Sequence, residues 1–339
     1  MTTTSIEFQV IEGWEKAPTA EGLQHEDVAA VAVDSQDRVY LHTRHGDRVM
    51  VYDRDGGFIG AWGDGLFGNA HGITIGPDDS VYCTDNRDHV VRKFTPDGKL
   101  LLTLGTPGAK SDTGYNTSQR PAKIHHNETV ARGAGPFNSC TNVALAPNGE
   151  IYVSDGYGNA RVHRFSSEGK LLQSWGSPGS AGGEFHLPHG IGVTADGRVV
   201  VCDRENDRLQ FFDLGGRYLY EWNDVQRPCA IAEGRDGLLY VAELWRPVEP
   251  GQGSFVHGYA KEDKPGRVSV YDSSGGVVAR WGASTTDRCA AGNFIAPHGI
   301  CLDSRGDLYV AEVTGTYGVR AKRTGPECAG HQIQKFSRR

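Results

Sequence analysis

Short alternating runs of apolar and polar residues, broken by Gly, Asp or Asn, follow one another along most of the chain. Alternation with period two puts successive side chains on opposite faces of a strand. The clearest run is His71-Gly72-Ile73-Thr74-Ile75-Gly76-Pro77-Asp78-Asp79-Ser80-Val81-Tyr82, an apolar strand, an Asp-containing turn and the start of a Tyr strand. A later copy repeats that order with Thr141 to Leu145, the turn Pro147-Asn148-Gly149, and Ile151 to Ser154. Arg161 to Ser166, the turn Ser167-Glu168-Gly169, and Leu171 to Trp175 then complete it. Asp-Gly pairs such as Asp97-Gly98 and Asp196-Gly197 tolerate positive φ and predict tight hairpins. Four strands per repeat of about 40–50 residues predict the blade of a β-propeller.

Six copies align on the strand positions Tyr40, Tyr82, Tyr152, Val200, Tyr240 and Tyr309. Eleven residues before these stand Ala29, His71, Thr141, His189, Cys229 and His298. Histidine therefore fills this slot in copies two, four and six and in no other. In a closed six-fold array, three such side chains converge on the axis about 120° apart. Successive slots lie 42, 70, 48, 40 and 69 residues apart, which locates insertions at 106–136 and about 245–266. The first carries His125 and His126 and the second His257, and loop histidines of this kind are expected to be exposed. The sixth copy runs out near Lys335-Phe336 without its last strand, whereas Phe8 to Trp14 reads as an orphan outer strand. The expected fold is all-β, a single six-bladed β-propeller domain over residues 1–339, closed by that N-terminal strand.

Composition narrows the partners. A formal charge of -7 and a pI near 6.0 weigh against nucleic acid, and no apolar run is long enough to span a membrane. The first residues lack the apolar core of a secretory leader. Seven cysteines (Cys83, Cys140, Cys202, Cys229, Cys289, Cys301 and Cys328) form no C-x-x-C pair. Their odd number and irregular spacing predict free thiols, no structural disulfide and a reducing cytoplasm. The expected partner is a small-molecule substrate.

Packing accounts for one histidine at the start of an inner strand, but not readily for three in the same slot of alternate copies. Three neutral imidazoles with a fourth position open describe a catalytic zinc site, and the ligand type leaves iron, cobalt and manganese open. A second frame follows the Tyr-Val strand. Three residues on stand Thr43, Asp85, Asp155, Asp203, Glu243 and Glu312, and an acid in five copies reads as structural. Four residues on stand Arg44 and Arg204, and five residues on stands Tyr157. Non-repeating residues on a repeating scaffold are where function is expected.

These residues reach a family. Asp155-Gly156-Tyr157-Gly158-Asn159-Ala160-Arg161 and Asp203-Arg204-Glu205-Asn206-Asp207-Arg208 resemble signatures of the peptidyl-α-hydroxyglycine α-amidating lyases, six-bladed propellers of NHL repeats. Pro188-His189-Gly190, Pro297-His298-Gly299 and Ala70-His71-Gly72 resemble that family's zinc-ligand turns, and Arg44-His45-Gly46-Asp47-Arg48 its first-blade arginine motif. The resemblance spans blades one to six. It implies zinc on His71, His189 and His298, Tyr157 as the general base, and Arg44 and Arg204 as charge that favours phenolate and binds a carboxylate. The product pair would be an amide and an aldehyde such as glyoxylate.

The chain departs from the family at three points. Ala296 stands where members have methionine, Gly299 where they have a calcium-binding aspartate, and Gly158 where secreted members have a disulfide cysteine. A calcium site is therefore doubtful. A lactonase-like metal-dependent hydrolase and a non-catalytic NHL interaction module remain as competing readings, since fold does not dictate function.

Overall fold

The computed structural model describes residues 6–16, 18, 23–46, 48–118 and 125–339. Residues 1–5, Asp47 and the stretch 119–124 of the first insertion lie outside them. Six four-stranded antiparallel sheets follow one another around an axis, as the repeat predicts. Blade three shows the plan with Cys140–Leu145, Ile151–Asp155, Arg161–Phe165 and Leu171–Trp175. Its register runs directly across the tight turns, with Ile151 opposite Phe165 and Leu145 opposite Ile151. The Asn-Gly turn works because Gly149 sits at φ 83, a region that other residues enter at a cost.

Apolar side chains from facing sheets fill the gaps between blades. Tyr40, Tyr152, Tyr240 and Tyr309 of the Tyr-Val strands are fully buried there. The expected closure is present: Phe8–Ile11 pairs with Ile333–Arg338, Phe8 opposite Arg338 and Ile11 opposite Lys335. That places the N-terminal strand outermost in blade six, outside Pro297–Leu302, Leu308–Glu312 and Ile333–Arg338. The strand ends at Ile11. Trp14 lies beyond it, buried in the apolar cluster of blades one and six, with its indole donating to the Arg54 carbonyl at 2.9 Å.

The repeated acids are structural, as their recurrence suggests. Asp85 accepts from the backbone N–H of Gly68, Asp155 from Asn138, Asp203 from His186, Glu243 from Gln226 and Glu312 from Ile295. Each acid pins the segment that leads into the first strand of its own blade, and all five are fully buried.

Two features depart from the sequence reading. A third insertion, residues 313–332, lies between the second and third strands of blade six and forms short turns at Gly315–Val319 and Pro326–Gly330. The slot spacing measures only from one first strand to the next, so nothing after the last slot registers in it. The second departure corrects the thiol expectation. Cys289, before the first strand of blade six, is disulfide-bonded to Cys328 in this insertion, with Cα atoms 5.4 Å apart. Cys83, Cys140, Cys202, Cys229 and Cys301 are free. Spacing along the chain did not show that the insertion folds back over the entry to its own blade, and the thiols no longer argue for a reducing compartment. No helix among the described residues is long and apolar enough to cross a membrane.

Candidate metal centre

The site begins with a flaw in the sheets. In all six blades the first strand loses register with the second at the axial slot: between Val28 and Ala30, Ala70 and Ile73, and Cys140 and Asn142 in the first three. The breaks between Pro188 and Ile191, Pro228 and Ala230, and Pro297 and Gly299 complete the set. A bulge bends the strand and re-aims the extra residue. Here it turns His71, His189 and His298 to the axis, where their rings stand 4.6–4.8 Å apart, centroid to centroid. One nitrogen from each ring lies within 4.8 Å of the others, and all three residues are buried.

The odd blades orient these rings. His71 Nδ1 donates to the carbonyl of Thr141 at 2.6 Å, His189 Nδ1 to that of Cys229 at 2.7 Å, and His298 Nδ1 to that of Ala29 at 2.7 Å. Carbonyls only accept, so each Nδ1 carries the proton and each Nε2 keeps its lone pair facing the axis. Outer partners of this kind fix the tautomer and ring direction of metal-binding histidines. The glycine after each histidine makes the approach possible. A Cβ on Gly72 would lie 2.8 Å from the Thr141 oxygen, and one on Gly190 would lie 2.7 Å from the Cys229 oxygen. A Cβ on Gly299 would meet Ala30 Cα at 2.8 Å, so this position has no room for the family's calcium-binding aspartate. Burial, with the charges of neighbouring groups, holds the imidazoles of His71 and His189 well below their ordinary pKa and pushes that of His298 down to about 3. Three neutral, pre-oriented nitrogen donors fit a divalent transition metal.

Tyr157 reaches the same point from blade three. Its Oη lies 3.2 Å from Nε2 of both His71 and His189. Arg204 of blade four donates from Nη1 to that oxygen at 3.3 Å, with its guanidinium 5.4 Å from the ring centroid. Arg44 of blade one comes from the opposite side, donating from Nε to the Ala70 carbonyl at 3.3 Å, with Nη1 3.9 Å from Asp27. Arg44 and Tyr157 line one open cleft of about 540 Å³ with Glu26, His45, Asn69 and Arg87. Arg204 is buried and stands outside that lining. All six site residues expected from the sequence therefore border one centre. Ala296, by contrast, is fully buried in the apolar cluster that includes Ala29, Cys229 and Cys328, away from the cleft.

Sequence reading missed the groups behind Arg204. Glu205, Arg227, Arg246 and His125 are all buried. His125 was expected to be an exposed loop histidine; it is packed with its Nε2 3.9 Å from Glu205, while His257 is exposed. None of His125, His126 and His257 joins the three-histidine cluster. The available signal was Glu205 itself, an acid directly after Arg204 and out of phase with the repeated acids.

Comparison with known proteins fits this geometry. The NHL repeat model matches residues 137–165 and 185–212, in blades three and four. NHL repeat-containing protein 3 of Homo sapiens is 31% identical over 259 residues, covering 71% of this chain and 68% of that protein. The chain belongs to the NHL-repeat propeller family. Peptidyl-alpha-hydroxyglycine alpha-amidating lyase 1 of Drosophila melanogaster is 28% identical over 277 residues, 74% of this chain and 44% of that protein. The chain thus spans less than half of that relative, and for NHL repeat-containing protein 3 of Mus musculus the share is 61%. Among solved structures, virginiamycin B lyase from Staphylococcus aureus superposes with a TM-score of 0.55 at 14% identity, covering 98% of this chain and 99% of that one. A gluconolactonase from Xanthomonas campestris gives 0.59 at 13%, covering 93% and 87%. At these identities the structural likeness shows the β-propeller fold alone.

Proposed function

We propose that this NHL propeller is a zinc-dependent carbon–nitrogen lyase that cleaves a carbinolamide, an N-acyl-α-hydroxyglycine or a close analogue, to an amide and an aldehyde such as glyoxylate. The observation that carries the reading is the Tyr157 oxygen, held within 3.3 Å of His71 Nε2, His189 Nε2 and Arg204 Nη1. A zinc ion on His71, His189 and His298 supplies Lewis-acid polarisation of a substrate oxygen when bound. Arg204 and the tyrosine form one unit, in which the guanidinium donates a hydrogen bond to the oxygen that acts as base. Tyr157 takes the carbinol hydroxyl proton; the freed electron pair forms the C=O bond, and the C–N bond breaks. The departing nitrogen keeps the bonding pair and recovers a proton from Tyr157, so no water is consumed. Arg44, whose guanidinium lines the cleft with Tyr157, binds the substrate carboxylate. Arg204 thus bears mainly on kcat and Arg44 mainly on KM.

The test is glyoxylate release from a panel of N-acyl-α-hydroxyglycines by zinc-loaded protein. Tyr157→Phe should lower kcat by roughly 10²–10⁴ with metal content unchanged. No aldehyde from any member of the panel defeats the lyase reading, and acid release from lactones would favour a hydrolase instead.

A further inference from the structure

Behind Arg204 lies a buried cluster of charge for which the reaction above has no use. Arg204, Glu205 and Asn206 form one short helical turn, tied down by Arg204 N–H to the Leu187 carbonyl at 3.1 Å and Glu205 N–H to that of His186 at 3.0 Å. The Glu205 carboxylate is fully buried. Its Oε1 accepts from Arg204 Nε at 2.8 Å and from Arg227 Nη2 at 2.7 Å, and its Oε2 from Arg246 Nη1 at 3.5 Å. Arg246 also donates to Asp207 at 2.7 Å. Burial would raise the Glu205 carboxyl, but the charges of Arg227, Arg204, His125 and Arg246 outweigh it and hold the group well below the usual carboxylate range.

These partners do not come from one place. His125 belongs to the first insertion, and Arg246 to the second, which also docks by Phe255 N–H on the Glu205 carbonyl at 2.8 Å. Arg227 donates to Tyr317 of the third insertion at 2.6 Å. Glu205 thus meets the first two insertions directly and the third through Arg227. It also divides the Arg204 fork: Nε goes to Glu205, and Nη1 is left for Tyr157. An arginine without that anchor has several rotamers and no reason to choose this one.

We propose that Glu205 is the positioning residue that holds Arg204 against the Tyr157 oxygen, acting on the reaction only through Arg204. This rests on the lyase reading for its kinetic arm and on no reading for its structural arm. Breaking a buried ion cluster destabilises the fold whatever its role, so loss of stability alone does not test the proposal. Asp303→Asn is the matched control, because Asp303 is a buried carboxylate held by Arg54 at 2.8 Å, past the end of Pro297–Leu302 away from His298.

Crystal structures and kinetics of Glu205→Gln test the proposal. The expected structure has Arg204 out of hydrogen-bond reach of Tyr157, with Tyr157 and the three histidines unmoved. In kinetics, kcat should fall about tenfold or more with KM for the carboxylate little changed. In an Arg204→Met background the same substitution should cost no further kcat, since contacting residues that act as a unit are not additive. Asp303→Asn should lose comparable stability and keep kcat. Should Glu205→Gln not fold, Glu205→Asp keeps the charge, withdraws the oxygens by one methylene and should show the same loss in smaller degree. Arg204 unmoved in the crystal, or an equal loss of kcat in the Arg204→Met background, overturns the proposal. If the parent protein releases no aldehyde, the lyase reading fails, and the position of Arg204 still decides this one.

Discussion

The even and odd blades have the same bulge at the axial slot and use it differently. Blades two, four and six turn a side chain to the axis there, and blades one, three and five supply a backbone carbonyl. Each carbonyl meets the imidazole of the preceding blade: Ala29 meets His298, Thr141 meets His71 and Cys229 meets His189. The odd slots hold three different residues, Ala29, Thr141 and Cys229, because the main chain orients the imidazoles. Three-fold chemistry on a six-fold scaffold follows from one device used in two ways.

The largest effect should come from breaking an even slot. His71→Ala should weaken zinc binding by roughly a hundredfold or more, beyond the range set by outer partners. His257→Ala should leave it unchanged. Metal content after dialysis measures both, and full occupancy in the His71→Ala protein contradicts the assignment. The odd slot breaks more gently, through the glycine that lets it approach. Gly190→Ala puts a Cβ 2.7 Å from the Cys229 oxygen and should weaken the metal by about 10–100-fold. Cys229→Ala keeps the carbonyl and should bind metal like the parent. Equal losses in the two variants would mean that the cysteine side chain, not its carbonyl, matters.

Why the sequence showed so much of this lies in what repetition encodes. The alternation and the Asn-Gly and Asp-Gly turns state the strands, and equal register in every copy carries His71, His189 and His298 to one axis. Arg44, Arg204 and Tyr157 stood out because they break the repeat. Glu205 also breaks it, but it pairs with Arg227 and Arg246 of blade five, partners that no spacing reveals. The Cys289–Cys328 pair and the burial of His125 escaped for the same reason. Insertions carry no register, so the sequence shows where they leave the repeat and not what they fold against.

Blade six supplies the third histidine of the cluster, His298, and is assembled from both ends of the chain. Phe8 stacks on Trp281 of blade five at 5.3 Å, so the closing strand also covers the neighbouring blade. Deleting residues 1–14 should expose the edge of Ile333–Arg338 and lower the melting temperature by roughly 10 °C, at about 2–4 °C per kcal/mol for domains of 150–250 residues. An unchanged transition would remove the closure from the account of how His298 is held.

The smallest effect separates the blades by the partner of their repeated acid. Asp85, Asp203 and Glu243 pair with Arg92, Arg208 and Arg267, whose charge does not change in the ordinary pH range. Asp155 pairs instead with His163 at 3.3 Å, and Glu312 with His331 at 3.1 Å. Burial would lower the His331 imidazole, but the charge and hydrogen bond of Glu312 outweigh it and raise it to about 9. A histidine whose folded pKa exceeds its unfolded value near 6.5 stabilises fully below that value and loses the contribution as pH rises through the folded one. Blade six should therefore loosen between about pH 6.5 and 9, a window set by this pair. Tyrosines and lysines also begin to titrate near its upper end, so the readout is a difference: the melting temperature of the parent should fall further over this range than that of His331→Gln. Parallel curves would show that the Glu312 pair adds no pH dependence, leaving the acids of all blades alike in effect.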